Sequence, residues 1–397
     1  DQMPRNGDQY FPFRQNSNLF YFSVIDQEKT VFLFCPNHPD EKYREILFIM
    51  EANKEFEIWN GPRYSPQEVS DRSGIQTIFY LNQLDNVLHN LMINSEYVYL
   101  NLEENIKYYE SVPSRDLRFS TELKKKYPSH KYERLAPVMN SLRTVKEDEE
   151  IDLTKKACDI SGKAFRRILK FVKPGAYEYE VEAEMTHEFL MNGSKGHAYA
   201  PIIASGSNAC ILHYIKNNKQ CLNGDLLLMD FGAEYNNYSS DLSRTIPVNG
   251  KFSKRQKEIY NAVLRVQKQV IKLMRPGMNI SKINFESGKL VEQELLSLGL
   301  ISENEVKNAG AKPAYTKYFM HGTSHFIGLD VHDIGDKDMT FMPGMILSCE
   351  PGIYIAEEKL GVRIETDILI TENEPVDLME NVPVEPDEIE ELMAGEK

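Results

Sequence analysis

The sequence has no hydrophobic run that approaches the ~18–20 residues that a helix needs to cross a bilayer. It also has no excess of positive charge, because 46 lysine and arginine residues stand against 60 aspartate and glutamate residues, for a net charge of −14. This balance argues against a nucleic acid or an anionic membrane as the main partner of the protein.

Cysteines are few, and their spacing predicts no disulfide framework. There are five of them, an odd number, and no two have the C-x-x-C spacing. We therefore expect a reduced chain that works in the cytoplasm. No signal peptide is recognisable, but the chain begins without an initiator methionine, so removal of an N-terminal segment stays open.

The chain of 397 residues is too long for one ordinary hydrophobic core, so we expect two domains. Residues 1–142 alternate predicted strands with predicted helices, which indicates a small α/β domain. Within it, the segments 30–36 and 54–61 have the composition of strands that end in turn residues.

The second domain, residues 143–397, opens with a long amphipathic helix predicted over 142–172. Acidic residues crowd its first turn and basic residues its end, as the helix dipole favours. At the other end of the domain, residues 372–397 contain ten aspartates and glutamates. We predict that this stretch is a solvated acidic tail with one helix at 387–394.

The second domain carries a faint internal repeat. One predicted helix ends at Pro174 and Gly175, and a later one ends at Pro276 and Gly277. Each Pro-Gly pair is followed by a second helical pattern, a histidine-bearing loop and strands with two carboxylates. We therefore predict an α+β domain with an internal pseudo-twofold repeat, in which both carboxylate pairs meet at a shared seam.

Two carboxylates of the first half flank a predicted hairpin. Asp230 lies on the apolar strand LLLMDF, where it shares a face with Leu226 and Leu228. The turn-rich segment GAEYNNY follows, and the returning strand carries Asp241, so a hairpin can bring the two carboxylates opposite each other. Two unpaired carboxylates there would repel each other, and divalent cations would remove the conflict.

The second half contributes two more carboxylates and a histidine. Glu350 ends an apolar strand, and Glu365 shares one face of GVRIETDILIT with Arg363 and Asp367. His325 lies between two further histidines in HGTSHFIGLDVHD. A buried carboxylate is costly unless it is paired or binds a metal, and these segments contain no lysine cluster.

Four carboxylates and one imidazole form a donor set suited to manganese, iron, cobalt or zinc ions, and the predominance of carboxylates favours manganese. Two such ions ~3.5–4 Å apart can share a bridging water or hydroxide, acidify it and polarise a carbonyl group. The sequence therefore predicts a two-metal hydrolase. Its predicted ligands are Asp230, Asp241, His325, Glu350 and Glu365.

At these motifs the chain resembles the pita-bread metallopeptidases, and within them the Xaa-Pro aminopeptidase family. The similarity lies in IIASGSNACILHY, DFGAEYNNYSSDLSRT, HGTSHFIGLDVHD, EPGIYI and VRIETD, and in the N-terminal RNGDQYFPFRQNSNLFYF. The resemblance implies an α/β N-terminal domain joined to a pita-bread catalytic domain. It also implies an exopeptidase that hydrolyses the N-terminal Xaa-Pro bond of peptides with a metal-bridging hydroxide.

The resemblance assigns roles to the five predicted ligands. It implies that Asp230 chelates one metal ion and that His325 and Glu350 chelate the other. Asp241 and Glu365 would bridge both ions. Glu350 would in addition act as the acid and base of the reaction.

Five further residues would surround the substrate. His213 would assist at the scissile bond from the opposite half, and His332 would contact the substrate carbonyl. His321 and Tyr354 would line the site, with His321 as a wall of the proline pocket. Arg363 would support the bridging end of the site and the far side of the substrate. For His213 and His332, ordinary hydrogen-bonded histidines are the alternative.

Two other functions remain open. An Xaa-Pro dipeptidase is the alternative within the same reaction class, although the N-terminal segment favours the aminopeptidase. A pita-bread protein that only binds peptides is the alternative from another class, but such relatives have typically lost ligands and this chain keeps all five. From the resemblance alone, we expect substrates with proline at the second position and a homodimer or homotetramer.

Overall fold

The computed structural model describes residues 2–104 and 113–395. The chain divides into two compact units, Asp1–Ser141 and Leu142–Lys397. Within the described ranges, none of the helices has the length and apolar character needed to span a membrane. All five cysteines are free thiols.

The N-terminal unit is an α/β structure of short elements. Its strands are β1 Pro4–Asn6, β2 Gln9–Tyr10, β3 Val31–Phe34, β4 Glu45–Ile49, β5 Thr77–Tyr80, β6 Tyr97–Leu100 and β7 Lys131–Arg134. Its helices are α1 Ser17–Ser23, α2 Lys54–Asn60, α3 Pro66–Ser73, α4 Leu84–Met92, α5 Arg115–Lys126 and α6 Ala136–Arg143, the last of which runs across the division. Strand β4 lies between an antiparallel β3 and a parallel β5, and β6 pairs in parallel with β7.

Residues 54–60 form helix α2, so the prediction of a strand over 54–61 was wrong. The side chain of Asn53 caps the helix by accepting a hydrogen bond from the backbone N–H of Glu55 at 2.9 Å. Gly61 ends the helix with a φ of 81°, a conformation that favours glycine. The composition of the segment and the turn residues at its end suggested a strand, but the capping residues at both ends decide the local structure. The strand predicted at 30–36 is confirmed as β3.

The C-terminal unit combines long helices with small antiparallel sheets. Its helices are α7 Asp148–Phe171, α8 Glu178–Met191, α9 Lys254–Leu273, α10 Ile280–Ser297, α11 Glu303–Lys307 and α12 Pro386–Ala394. Its strands are β8 Gly196–His197, β9 Ile202–Ser205, β10 Leu226–Phe231, β11 Ala233–Tyr235, β12 Tyr238–Ser239, β13 Leu242–Pro247, β14 Ile346–Cys349, β15 Gly352–Ile355, β16 Leu360–Arg363, β17 Thr366–Leu369 and β18 Val376–Asp377.

The internal repeat is visible in the order of these elements. Gly175 separates α7 from α8 with a φ of 97°, and Gly277 separates α9 from α10 with a φ of 91°. Each glycine donates its backbone N–H to a distant carbonyl, Gly175 to Cys221 at 2.9 Å and Gly277 to Phe341 at 3.2 Å. A three-stranded sheet follows each helix pair, in the order β13-β10-β9 in the first half and β14-β17-β18 in the second.

The acidic C-terminal stretch packs on the core, so the prediction of a solvated tail was wrong. Val382 and Ile389 are 2% and 0% exposed and belong to the main apolar cluster of the unit. The predicted helix is present as α12, which packs against α7 and α9. Its apolar residues face the core while its carboxylates face solvent, and the net charge of the stretch concealed this pattern.

Candidate metal centre

The first half places two carboxylates on one face of the sheet β13-β10-β9. Asp230 lies in β10 opposite Ser243 of β13, and Asp241 immediately precedes β13. The two carboxylates are therefore diagonal neighbours and not directly opposite, because residues on one face of a strand are two positions apart. The hydroxyl of Tyr199 is hydrogen-bonded to both carboxylates. Since a hydroxyl carries one proton, the two carboxylates compete for it.

The second half places two carboxylates at the end of another ladder. Glu350 directly follows β14, and Glu365 directly precedes β17. Strand β14 pairs with β17, and the last residue pair between them is Cys349 opposite Thr366. The two glutamates therefore lie just beyond this pair, on the two adjacent segments that flank the strands. Strand pairing thus positions these carboxylates although neither lies within a strand.

Hydrogen bonds join the two halves at the site. The backbone N–H of Glu365 donates to Ser243 O at 3.0 Å, and that of Arg363 donates to Thr245 Oγ1 at 3.3 Å. The hydroxyl of Ser243 donates to Glu365 Oε2 at 2.7 Å. The shared seam is therefore a direct contact between β13 and the residues that connect β16 to β17.

His325 faces the carboxylates of both halves. Its Nε2 lies 3.3 Å from Asp241 Oδ2 and 3.6 Å from Glu350 Oε1. Its Nδ1 lies 3.1 Å from the carbonyl of Phe326, which can only accept, so Nδ1 carries the proton and Nε2 is left for the site. Ligand atoms of Asp241, His325 and Glu365 all lie within 4.8 Å of one another, a spacing at which one ion can bind all three.

The site concentrates negative charge away from water. Burial raises the pKa of Glu350 to about 7 and raises the pKa values of Asp241 and Glu365, and the neighbouring carboxylates add to each shift. Burial opposes protonation of His325, but its hydrogen bond to Asp241 and the charge of Glu350 outweigh burial and raise its pKa to about 9. The pKa shifts of the carboxyl groups thus reflect burial and mutual repulsion, and the pKa shift of His325 reflects the carboxylates that face it.

Arg363 is the guanidinium of this cluster, and it is 3% exposed. Its Nε donates to Ser243 Oγ and its Nη1 to the Tyr354 hydroxyl, both at 2.9 Å. Its Nη2 donates to the Asp230 carboxylate. Arg363 therefore balances one of the four carboxylates, and its hydrogen bonds reach Glu365 through Ser243.

His321 stands against an aromatic wall. Its Nε2 accepts a hydrogen bond from the Tyr354 hydroxyl at 2.8 Å, and its Nδ1 donates to the carbonyl of Gly322 at 2.7 Å. The ring of Phe319 meets it edge-on at 4.8 Å. Burial, followed by the charge of Arg363, lowers the pKa of His321 to about 4, so this histidine is neutral at pH 7.

The two remaining predicted histidines lie on exposed loops beside this cluster. The ring of His332 meets the ring of His325 at 4.3 Å, edge-on. His213 lies near enough to His321 for an electrostatic interaction that contributes to the lowered pKa of His321. The structure therefore gathers all ten predicted site residues in one region of the C-terminal unit.

Two further residues of the cluster were not among the predicted ones. Ser243 follows from the hairpin register, since it is the residue opposite Asp230. Tyr199 precedes β9, and no spacing in the sequence indicates its contact with two carboxylates. Asp367, predicted only to share a face with Glu365, accepts a hydrogen bond from the backbone N–H of Asp241 at 3.0 Å and thereby fixes the backbone of that residue.

Comparisons with known proteins agree with this geometry. The profile of metallopeptidase family M24 matches residues 152–372, and that of the aminopeptidase P N-terminal domain matches residues 1–99. The Xaa-Pro aminopeptidase of Escherichia coli is 33% identical over 99% of this chain and 92% of its own length. That of Haemophilus influenzae is 34% identical over 98% of this chain and 90% of its own length.

A solved structure is similar over the same extent. Aminopeptidase P from E. coli with the inhibitor Pro-Leu is 33% identical and has a TM-score of 0.89, covering 99% of this chain and 92% of that one. This similarity confirms the expected fold, an α/β N-terminal domain followed by a pita-bread C-terminal domain.

Proposed function

Because this chain belongs to metallopeptidase family M24 and carries an aminopeptidase P N-terminal domain, we propose that it removes the first residue of peptides with proline in second position. It is a metallo-aminopeptidase, and in this proposal residues 143–397 form its catalytic domain. One observation carries the proposal: carboxylates and a histidine from two halves of one unit converge at a single seam.

The donor set fits divalent metal ions. Glu365 Oε1 is buried without a hydrogen-bond partner, and Asp241 and Glu365 are 4% and 1% exposed. Among the described residues, Arg363 donates to the Asp230 carboxylate and the nearby Arg244 donates to backbone carbonyls. The imidazole of His325 alone does not balance the remaining carboxylates, so further positive charge is required. We infer two ions, and the excess of carboxylates favours manganese over zinc, cobalt or iron. The residues that would hold them are Asp230, Asp241, His325, Glu350 and Glu365.

When bound, such ions acidify water and polarise the carbonyl of the scissile bond. Residues of the chain would do the remaining work. Glu350, whose side chain is 20% exposed, would carry a proton from the attacking water to the proline nitrogen, which must gain it to leave as an amine. His332 would hold the substrate carbonyl, and His213 would approach the scissile bond from the first half.

His321 and Tyr354, with Phe319 behind them, would form the wall of the proline pocket. A neutral His321 presents an uncharged face to the proline ring. Proline also lacks an amide N–H and has a fixed φ, so its recognition depends on shape and apolar contact. Arg363 would support the far side of the substrate by holding Tyr354 in place.

Asp241→Ala tests the proposal, because this residue would be one of the side chains that hold the metal ions. We expect turnover of an Xaa-Pro peptide to fall at least about 100-fold, since metal stabilisation is worth several kcal/mol. Metal content, measured by elemental analysis, should fall with it. The matched control is Asp387→Ala, which removes a carboxylate with a 79% exposed side chain on α12 and should leave both unchanged. Full turnover and full metal content in Asp241→Ala would reject the assignment.

Peptide length separates an aminopeptidase from an Xaa-Pro dipeptidase. An Xaa-Pro dipeptide and longer Xaa-Pro peptides with the same first residue are compared at equal concentration. We expect cleavage of the longer peptides. Strict confinement to the dipeptide would assign the dipeptidase activity to the same site.

We also propose that the protein works in the cytoplasm as a homodimer or homotetramer. Its five free thiols support a reducing compartment. The oligomeric state rests on the family resemblance, and light scattering of the purified protein measures it directly.

A further inference from the structure

One buried carboxylate underlies the loop that carries His213. The His213 loop comprises residues 205–219. Glu178 is the first residue of α8, and its exposed fraction is 0%. We propose that Glu178 is the positioning residue that sets where His213 stands in the site. The inference rests on the proposed function, which assigns His213 to the substrate.

Both oxygens of Glu178 accept hydrogen bonds from the loop. Oε1 accepts from the backbone N–H and the hydroxyl of Ser205, both at 2.8 Å, and from Asn208 Nδ2 at 3.2 Å. Oε2 accepts from the Tyr214 hydroxyl at 2.7 Å and from the backbone N–H of Lys219 at 2.9 Å. One side chain therefore ties together both ends of the loop and the residue that directly follows the histidine.

The two ends of the loop, at Ser205 and Lys219, are hydrogen-bonded to Glu178, whereas its middle is exposed to solvent. Ile211 and Ile215, on either side of His213, are 54% and 60% exposed. Tyr214 is buried and packs in a small apolar cluster with Leu228 and Tyr354. The side of the loop that Glu178 holds thus lies against the wall of the proposed proline pocket, so a shift of the two ends would displace His213 relative to the substrate.

A carboxylate suits this place better than any other side chain of its size. In all five hydrogen bonds the loop supplies the N–H or O–H donor and Glu178 supplies the acceptor, and an ionised carboxylate can only accept. Glutamine at position 178 would turn an NH2 group toward one set of these donors and leave buried N–H or O–H groups unpaired. Glu178→Gln therefore keeps the volume of the side chain but loosens the loop.

A double-mutant cycle tests the proposal in the metal-loaded protein with an Xaa-Pro peptide. We expect His213→Ala to lower kcat about 100-fold, as for the loss of one transition-state contact. Glu178→Gln should lower kcat about 10-fold with a smaller change in KM, because a misplaced group loses much of its effect. In the His213→Ala background, Glu178→Gln should change kcat less than about 2-fold. Equal losses in both backgrounds, or no loss in either, would overturn the proposal.

Hydrogen exchange of the backbone amides in the metal-free protein gives a readout that needs no turnover. Glu178→Gln should speed exchange in residues 205–219, and unchanged exchange there would overturn the proposal. The matched control is Glu150→Gln, a buried glutamate that accepts from the Tyr238 hydroxyl at 2.9 Å outside the loop. It should leave exchange in the loop and kcat unchanged.

Two further results keep the test decisive. Should Glu178→Gln fail to fold, Tyr214→Phe removes one donor and keeps the carboxylate, and it should act in the same direction. Should the wild-type protein not cleave Xaa-Pro peptides, the proposed function fails, while hydrogen exchange still decides whether Glu178 holds the loop.

Discussion

The two halves of the C-terminal unit share a plan but hold their histidine loops differently. In the first half, the His213 loop is tied to Glu178 by hydrogen bonds from amide and hydroxyl groups. In the second half, Asp333 follows His332 directly and forms buried ion pairs with Lys146, at 3.1 Å, and with Arg143. The side chains of Lys146 and Asp333 are each 1% exposed, and that of Arg143 is 3% exposed.

This difference predicts how each loop responds to mutation. Removing one partner of a buried ion pair leaves an uncompensated charge and typically costs about 3–5 kcal/mol. Leaving a neutral buried donor without its partner costs about 1–3 kcal/mol. The His332 loop should therefore be the less tolerant of the two, although both loops lie beside one site.

Lys146→Met should produce the largest effect on stability. It leaves Asp333 with Arg143 alone in a buried place, and we expect Tm to fall by about 10 °C and turnover to fall as His332 moves. Scanning calorimetry and kcat on an Xaa-Pro peptide measure the two effects. Lys307→Met is the control, since its ion pair with Glu303 is exposed and should not affect Tm. An unchanged Tm in Lys146→Met would mean that charge does not distinguish the two loops.

The halves should also differ in how their site charges respond to pH. Burial raises the pKa of the carboxyl of Asp241 in the first half, whereas the carboxylates around His325 of the second half raise the pKa of its imidazole to about 9. A folded-state pKa above the unfolded value of ~6.5 stabilises the protein fully below pH ~6.5, and this contribution is lost as pH rises through 9.

Metal-free protein, prepared with a chelator, should therefore have a Tm about 5 °C lower at pH 10 than at pH 6.5. Metal-loaded protein should lose less, because deprotonated His325 is then a ligand. His325→Gln should flatten the profile of the metal-free protein. The same decline in that variant would show that other groups cause it.

The charged site residues could be predicted from sequence better than the residues that hold them. Asp230 and Glu365 were predicted because a carboxylate in an apolar alternating segment is conspicuous within a few residues. Glu178 and Tyr199 were not, since their partners are 27 to 42 positions away and are defined only by how separate elements pack. The same limit applies to Ser243, whose role depends on the register of β10 with β13.

Local patterns also misled where two signals competed. In residues 54–61 a strand-like composition with turn residues at its end suggested a strand, but the capping residues Asn53 and Gly61 enclose a helix in the structure. In residues 372–397 the acidic composition concealed a helix face that packs on the core. The Pro-Gly pairs that marked the repeat had no competing signal, since each requires a turn with a positive φ that glycine provides.

The smallest effects should arise at these two turns, where the halves agree. A Cβ at Gly277 would meet no atom within 4 Å, and at Gly175 the nearest atom is Gln220 Nε2 at 3.9 Å. Gly175→Ala and Gly277→Ala should therefore lower the free energy of unfolding only through the strain of a positive φ, by about 1 kcal/mol. Each should lower Tm by about 2–4 °C. Lys173→Ala, an exposed substitution beside the first turn, is the control and should leave Tm unchanged.

If Gly175→Ala and Gly277→Ala lower Tm equally, the two helix pairs of the repeat depend to the same degree on a positive φ at their turns. A loss at one turn alone would mean that the halves have diverged there as they have at their loops. Both variants should keep kcat, because neither turn lies among the site residues. A changed kcat in Gly175→Ala alone would mean that the first turn helps to position Glu178, which lies three residues further along the chain.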